Sequence, residues 1–398
     1  MNLLIDFLTT HGLYGAGEYH RRIVHELIKT IKQDRLTNIQ LYAIHDSRLT
    51  ISYNDLTEQA ITKEINIKFI DLRNTSILDV IQQYQINKFF IACGQRVGEY
   101  PDISKVRCET ICVTHDLLYE EWYNNHIYEH WILNASRWQK LNWICRTVVH
   151  PTRLFLAYLR SKAFQKNLSF MKAVFEMLNN NSLAKCITVS EYTKRTIVYN
   201  FSVNPEKIEV LYSPEKLIPP KQNIQNQKLR ELIEKKIKYF IILSADRESK
   251  NANKAIKAFK AYSQFDKYSY LLVSGSHAAD KNNIINVEYL SDSDFIWAME
   301  NCHALIYPTY FEGFGYPPIE AMKYGKPILT SNTTSLPEIL GEAPIYFSPL
   351  YESAIFDALM KLKEADYEKL SKKSLIQYQI IINRQKKDLA KLISLILH

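Results

Sequence analysis

The stretch from Ala304 to Thr330 constrains the fold more than any other part of this 398-residue chain. An apolar run, Ala304-Leu305-Ile306-Tyr307, leads into a loop holding Gly313-Phe314-Gly315. Pro317 and Pro318 then open an apolar helical pattern, since the first turn of a helix has no use for their missing N–H groups. A second apolar run, Pro327-Ile328-Leu329-Thr330, follows. A strand, a glycine loop, a helix and a strand in that order predict a unit of a parallel sheet, which places ligands at the carboxyl ends of its strands.

The same alternation runs through the chain. Strands are predicted at 3–8, 39–44, 66–70, 88–92, 109–114, 185–189 and 208–212, and again at 238–243, 269–273, 285–289, 303–307, 327–330 and 344–347. Residues 213–236, with Pro214, Pro219, Pro220 and several amides, read as the linker between two halves entering a new helix. Residues 367–396 read as helical. The length suffices for two α/β domains, each with its own core. With 46% hydrophobic and 23% charged residues, the composition is that of an ordinary globular protein. No apolar run of membrane-spanning length is present, and the amino terminus reads as a strand rather than a signal peptide. Six scattered cysteines, with only Cys108 and Cys112 close together, read as reduced thiols of a cytoplasmic protein.

The loop chemistry is specific. Gly313 and Gly315 allow close backbone approach, and a helix start behind them favours a phosphate. Glu312, ahead of that loop, and Glu320, expected in the first helical turn, suit sugar hydroxyls better than a phosphate. Together they suggest a nucleotide sugar. Gly15-Ala16-Gly17, after the first strand and before a helix expected from about Glu18, is a second candidate phosphate loop. Lys250, with Arg247, follows the first strand of the second half, where a cation neutralises a departing diphosphate. His115 and Asp116 end the strand at 109–114, where a ligand contact is expected of His115 and a capping role is open to Asp116. Ser190 reads as a helix N-cap. Asp292-Ser293-Asp294 precedes a helical pattern and reads as a cap rather than a metal motif.

The segment Glu312, Glu320, Ala321, Met322, Gly325, Lys326 and Pro327, with Leu336-Pro337-Glu338-Ile339 downstream, closely resembles the signature of glycosyltransferase family 4. The likeness extends to Lys250-Asn251, to Val189-Ser190 with Thr193, to the His115-Asp116 segment and to Gly275 after a strand. It covers nearly the whole chain, most strongly 185–345. Where many members carry an Arg five positions before the Lys, this chain has Ala245.

The resemblance implies a GT-B fold: two Rossmann-like domains, 1–212 for the acceptor and 213–372 for the nucleotide sugar, with parallel sheets facing across a cleft. A final helix, 373–398, would pack back on the first domain. It implies a retaining hexosyltransferase that uses a nucleoside diphosphate sugar and needs no metal or other cofactor. Glu320 would hold the ribose, while Glu312 and His115 would hold the sugar. The diphosphate would lie near Lys250, Arg247, Gly313, Phe314, Gly315, Gly275 and the Gly15–Gly17 turn. Two alternatives share these features: a nucleotide-sugar 2-epimerase and a catalytically silent partner of another glycosyltransferase.

The chain carries an excess of eight positive charges. Arg137, Lys140, Arg146, Arg153, Arg160, Lys162, Lys166 and Lys172 equal that excess in a stretch without acidic residues. Interleaved aromatics there suggest a peripheral contact with anionic lipid and a lipid-linked or other glycan acceptor at the inner membrane face. No nucleic-acid motif is present.

Overall fold

The computed structural model describes residues 1–8, 15–48, 66–117, 169–217 and 220–398. The chain divides into two units, Met1–Pro214 with Leu389–His398, and Glu215–Asp388. In the first unit, β1 (Asn2–Asp6) precedes α1 (Gly15–Gln33), β2 (Gln40–His45), β3 (Ile67–Asp71) and α2 (Ile77–Gln83). Then come β4 (Lys88–Ile91), α3 (Gly94–Val97), β5 (Glu109–Thr114), a helix α4 over 169–180, β6 (Ala184–Thr188), α5 (Glu191–Phe201) and β7 (Ile208–Val210).

The second unit contains α6 (Gln227–Glu234), β8 (Tyr239–Ile242), α7 (Ala252–Tyr262), β9 (Tyr270–Ser274), β10 (Ile284–Val287) and α8 (Asp292–Asn301). It continues with β11 (Ala304–Tyr307), α9 (Tyr316–Met322), β12 (Ile328–Ser331), α10 (Leu336–Leu340), β13 (Ile345–Phe347), α11 (Glu352–Glu364) and α12 (Tyr367–Leu397).

Each unit builds one parallel sheet. The orders are β3-β2-β1-β4-β5-β6-β7 and β10-β9-β8-β11-β12-β13, and every pairing between these strands is parallel. In both sheets the order reverses beside the unit's first strand, between β1 and β4 and between β8 and β11. Such switch points open a crevice at the carboxyl ends of the strands. Central strands are buried along their whole length, as in Tyr239–Ile242 and Ala304–Tyr307. Helices cover both faces, so the runs are continuously apolar rather than alternating.

The last helix is unbroken. Its residues up to Asp388 group with the second unit, and only Leu389–His398 joins the first, later than the division at 373 drawn from the sequence. There the Lys391 ammonium pairs with Glu209. Lys88 on β4, itself 1% exposed, donates to the Leu395 carbonyl at 2.9 Å and pairs with Glu109 at 2.9 Å.

Candidate functional site

The loops after β8 and β11 flank the switch point of the second sheet, and they bring Lys250 and Glu312 together. Lys250 lies in a 3-10 turn, Glu248–Lys250, and is 8% exposed. Its ammonium pairs with Glu312 Oε1 and also donates to the Tyr307 hydroxyl at 2.9 Å. Tyr307 donates to Glu312 Oε1 at 2.6 Å, and Thr309 Oγ1 lies 2.9 Å from the same oxygen. Burial, together with the Glu312 charge, pushes the Tyr307 phenol well above its ordinary pKa, so the hydroxyl keeps its proton.

Asn251 anchors this arrangement. It takes a left-handed backbone with φ 54°, and its amide donates to the Pro308 carbonyl at 3.0 Å and the Pro349 carbonyl at 2.9 Å. Arg247 is exposed, and its charge acts on Tyr307. Gly275 has φ +82°, and a Cβ there would stand 2.6 Å from Asp246 Oδ1 and 2.8 Å from the Ala245 nitrogen. It therefore lets the β9 loop lie against the Lys250 loop.

Beyond Glu312, Gly313, Phe314 and Gly315 are buried, with Phe314 packed edge-on to Tyr316. Gly315 has φ +89°, and a Cβ on it would meet Leu336 Cδ2 at 2.7 Å. The helix that follows has only seven residues. Its dipole is correspondingly modest. Glu320 sits in the second turn of this helix rather than the first as expected, because Tyr316 already begins it. Lys216 pairs with Glu320 Oε1 at 2.8 Å and reaches over the Tyr316 ring. Oε2 of Glu320 is enclosed without a hydrogen-bond partner, as are Ser331 Oγ and Thr333 Oγ1.

At the switch point of the first sheet, Asp6 accepts the backbone N–H groups of Ala92 at 2.6 Å and Cys93 at 3.3 Å. His115 Nε2 lies 3.0 Å from the Ala92 carbonyl. A carbonyl only accepts, so Nε2 carries the proton and Nδ1 is left as an acceptor. Burial holds the imidazole pKa below its usual value, so His115 is neutral at pH 7. Tyr19 packs edge-on against it at 4.7 Å.

Several expectations need correction. Gly15 and Gly17 form the first turn of α1 rather than a loop before it. The residues before them, 9–14, lie outside the described set. The helix at 292 is capped by Ser291, while Asp294 Oδ1 accepts the backbone N–H groups of Gln225 at 2.8 Å and Asn226 at 3.2 Å. Ser190 does cap α5, accepting from Thr193. Of the basic stretch 137–172, residues through 168 lie outside the described set. No helix among the described residues is long and apolar enough to cross a membrane. Sequence reasoning missed Tyr307, Thr309, Lys216 and Asp6. Asp6 and Tyr307 left a signal, polar groups ending the apolar runs Leu3-Leu4-Ile5 and Ala304-Leu305-Ile306, whereas Thr309 and Lys216 had none.

The family model of glycosyl transferases group 1 matches residues 223–378. The match lies within the second unit. The chain is 29% identical over 210 residues to the O-antigen chain mannosyltransferase RfbU of Salmonella typhimurium, covering 48% of this chain and 56% of the relative. It is 38% identical over 79 residues to the serotype-specific mannosyltransferase WbdA of Escherichia coli, covering 20% of this chain and 10% of the relative. The chain thus spans about half the length of the first relative and a tenth of the second. Anabaena HepE, solved with UDP and glucose, superposes with a TM-score of 0.65 at 14% identity, covering 99% of this chain and 98% of HepE. That likeness establishes the GT-B fold.

Proposed function

We propose that this protein is a retaining, family 4-like glycosyltransferase that moves a hexose, with mannose the favoured sugar, from a nucleoside diphosphate donor to a glycan hydroxyl in polysaccharide assembly. The observation that carries the reading is the junction of Lys250 and Glu312 at the switch point of the second sheet. The match to the group 1 model supports the reaction class, and the O-antigen mannosyltransferases among the relatives favour the sugar and the polymer.

Lys250, seconded by the exposed Arg247, would stabilise the diphosphate as it leaves. Glu312 would hold sugar hydroxyls, and neutral His115 would accept a hydrogen bond from a sugar hydroxyl at Nδ1. Glu320 would take the ribose. In the proposed step the bond from the anomeric carbon to the phosphate oxygen breaks, and the acceptor oxygen bonds to the same face of that carbon. The acceptor's proton passes to the departing phosphate, so no separate base is required. This scheme draws on no metal ion, because Lys250 supplies the positive charge.

Assay of GDP- and UDP-hexoses against glycan acceptors tests the proposal, with NMR reading the anomeric configuration of the product. Lys250→Ala should lower turnover ~10²–10³-fold, the usual cost of removing a preorganised charge partner. A loss below tenfold would move the burden elsewhere, and an inverted product would overturn retention.

A further inference from the structure

The hydroxyl of Tyr307 occupies a position that no part of the proposed reaction uses. It lies 2.9 Å from Lys250 Nζ and 2.6 Å from Glu312 Oε1. Its proton placement is forced. An ammonium has only donors and an ionised carboxylate only acceptors, so Tyr307 accepts from Lys250 and donates to Glu312. Glu312 Oε1 thereby gathers three groups: the Lys250 ammonium, the Tyr307 hydroxyl and Thr309 Oγ1. The pair is nearly enclosed, with 9% of the Lys250 and 13% of the Glu312 side chain exposed. Charges so enclosed are costly to leave without partners.

We infer that Tyr307 is a positioning residue that keeps the Glu312 carboxylate in place when the Lys250 ammonium turns to a diphosphate. This rests on the donor reading proposed above. With Tyr307 still bound, Glu312 keeps a partner after Lys250 leaves, and its orientation toward the sugar persists. Thr309 Oγ1 lies beside it at 2.9 Å, although its one proton is shared with the Ser249 and Phe311 carbonyls. Without the phenol, Lys250 becomes the principal partner of Glu312, and a diphosphate must compete with the carboxylate for the ammonium. The main chain of Glu312 is fixed independently. Its N–H donates to Thr334 Oγ1 at 3.2 Å, and its carbonyl accepts from Ser335 Oγ at 2.9 Å. Loss of the phenol should therefore leave the loop in place.

The test is Tyr307→Phe, which keeps the buried ring. Calorimetry with GDP and UDP should show about tenfold weaker binding of whichever diphosphate the wild type takes, a typical effect for a charge-assisted bond. Binding of the matching monophosphate should change less than about twofold on the same principle. Turnover should fall with diphosphate affinity, and the melting temperature should stay close to the wild type. Equal weakening of mono- and diphosphate would make Tyr307 merely structural and overturn the inference. So would unchanged diphosphate binding and turnover alongside a clear loss in Lys250→Ala. If Lys250→Ala itself leaves diphosphate binding intact, the donor reading fails, and the inference with it. Should Tyr307→Phe not fold, Thr309→Val removes a neighbour of the same carboxylate oxygen, and the same split between diphosphate and monophosphate decides.

Discussion

Lys216 holds one oxygen of Glu320 at 2.8 Å while the other is enclosed, so a ribose bound by this carboxylate must displace the ammonium. The pair is partly exposed, with 26% and 15% of its side chains accessible, and such pairs contribute about 1 kcal/mol or less. Lys216→Met should therefore tighten nucleoside diphosphate binding by up to about fivefold, within the same range. Glu320→Ala should weaken it by ~1–3 kcal/mol, the cost of an unmet hydroxyl donor. Calorimetry on both variants separates the cases: weaker binding in Lys216→Met would show that the lysine itself touches the nucleotide. Glu320 was legible in the sequence as half of a spaced pair of carboxylates. Its partner was not, because Lys216 lies more than a hundred positions away in a proline- and amide-rich linker with no pattern of its own.

At the scale of the element, the turn between β8 and α7 carries the site. Asn251 starts α7 with a left-handed backbone and makes no capping bond; its amide instead ties this turn to the loops after β11 and β13. Asn251→Ala loses both amide bonds and adds the strain of a left-handed residue. Asn251→Gly loses the bonds alone. Two buried bonds at ~1 kcal/mol each, with the buried carbonyls left unmet, should cost Asn251→Gly about 2 kcal/mol. Asn251→Ala should cost roughly 1 kcal/mol more. Urea denaturation measures both, and equal losses would show that backbone strain contributes nothing there. The strand–turn–helix order was readable because apolar runs and breakers alternate along the whole chain. The start of α1 was misjudged because glycine reads as a loop former, although Gly17 is buried in the first turn.

At the scale of the molecule, stability against pH depends on a histidine far from the site. His303 enters β11 from its amino end, stacked on Tyr367 at 4.8 Å and edge-on to Phe240 at 5.2 Å. Burial, then the positive charges of Lys238 and Lys326, hold its pKa at about 4 against the opposing pull of Asp266. An imidazole with a lowered folded pKa takes up a proton more readily when unfolded. Its neutral form thus costs nothing above pH ~6.5, and stability falls as pH drops from there toward about 4. After discounting for its partial exposure, the loss should be about 1–2 kcal/mol. His303→Phe keeps the stacking and should flatten that slope. Melting curves between these limits check it, and an unchanged slope would refute the assignment.

The sequence by itself determined that strands and helices alternate into two parallel sheets, because that information is local: apolar runs of strand length separated by turns and helices. It also marked Glu312, Glu320, Lys250 and His115, because they follow apolar strand runs into the loops and the helix where a parallel sheet places its ligands, and because they match the family 4 signature. Only the tertiary structure decided the sheet orders, which put the loops after β8 and β11 side by side. It decided as well that Lys250, Tyr307, Thr309 and Glu312 share one oxygen, and that Lys216 meets Glu320. The contacts of Lys250 with Glu312 and of Lys216 with Glu320 join residues 62 and 104 positions apart, and no spacing along the chain encodes them.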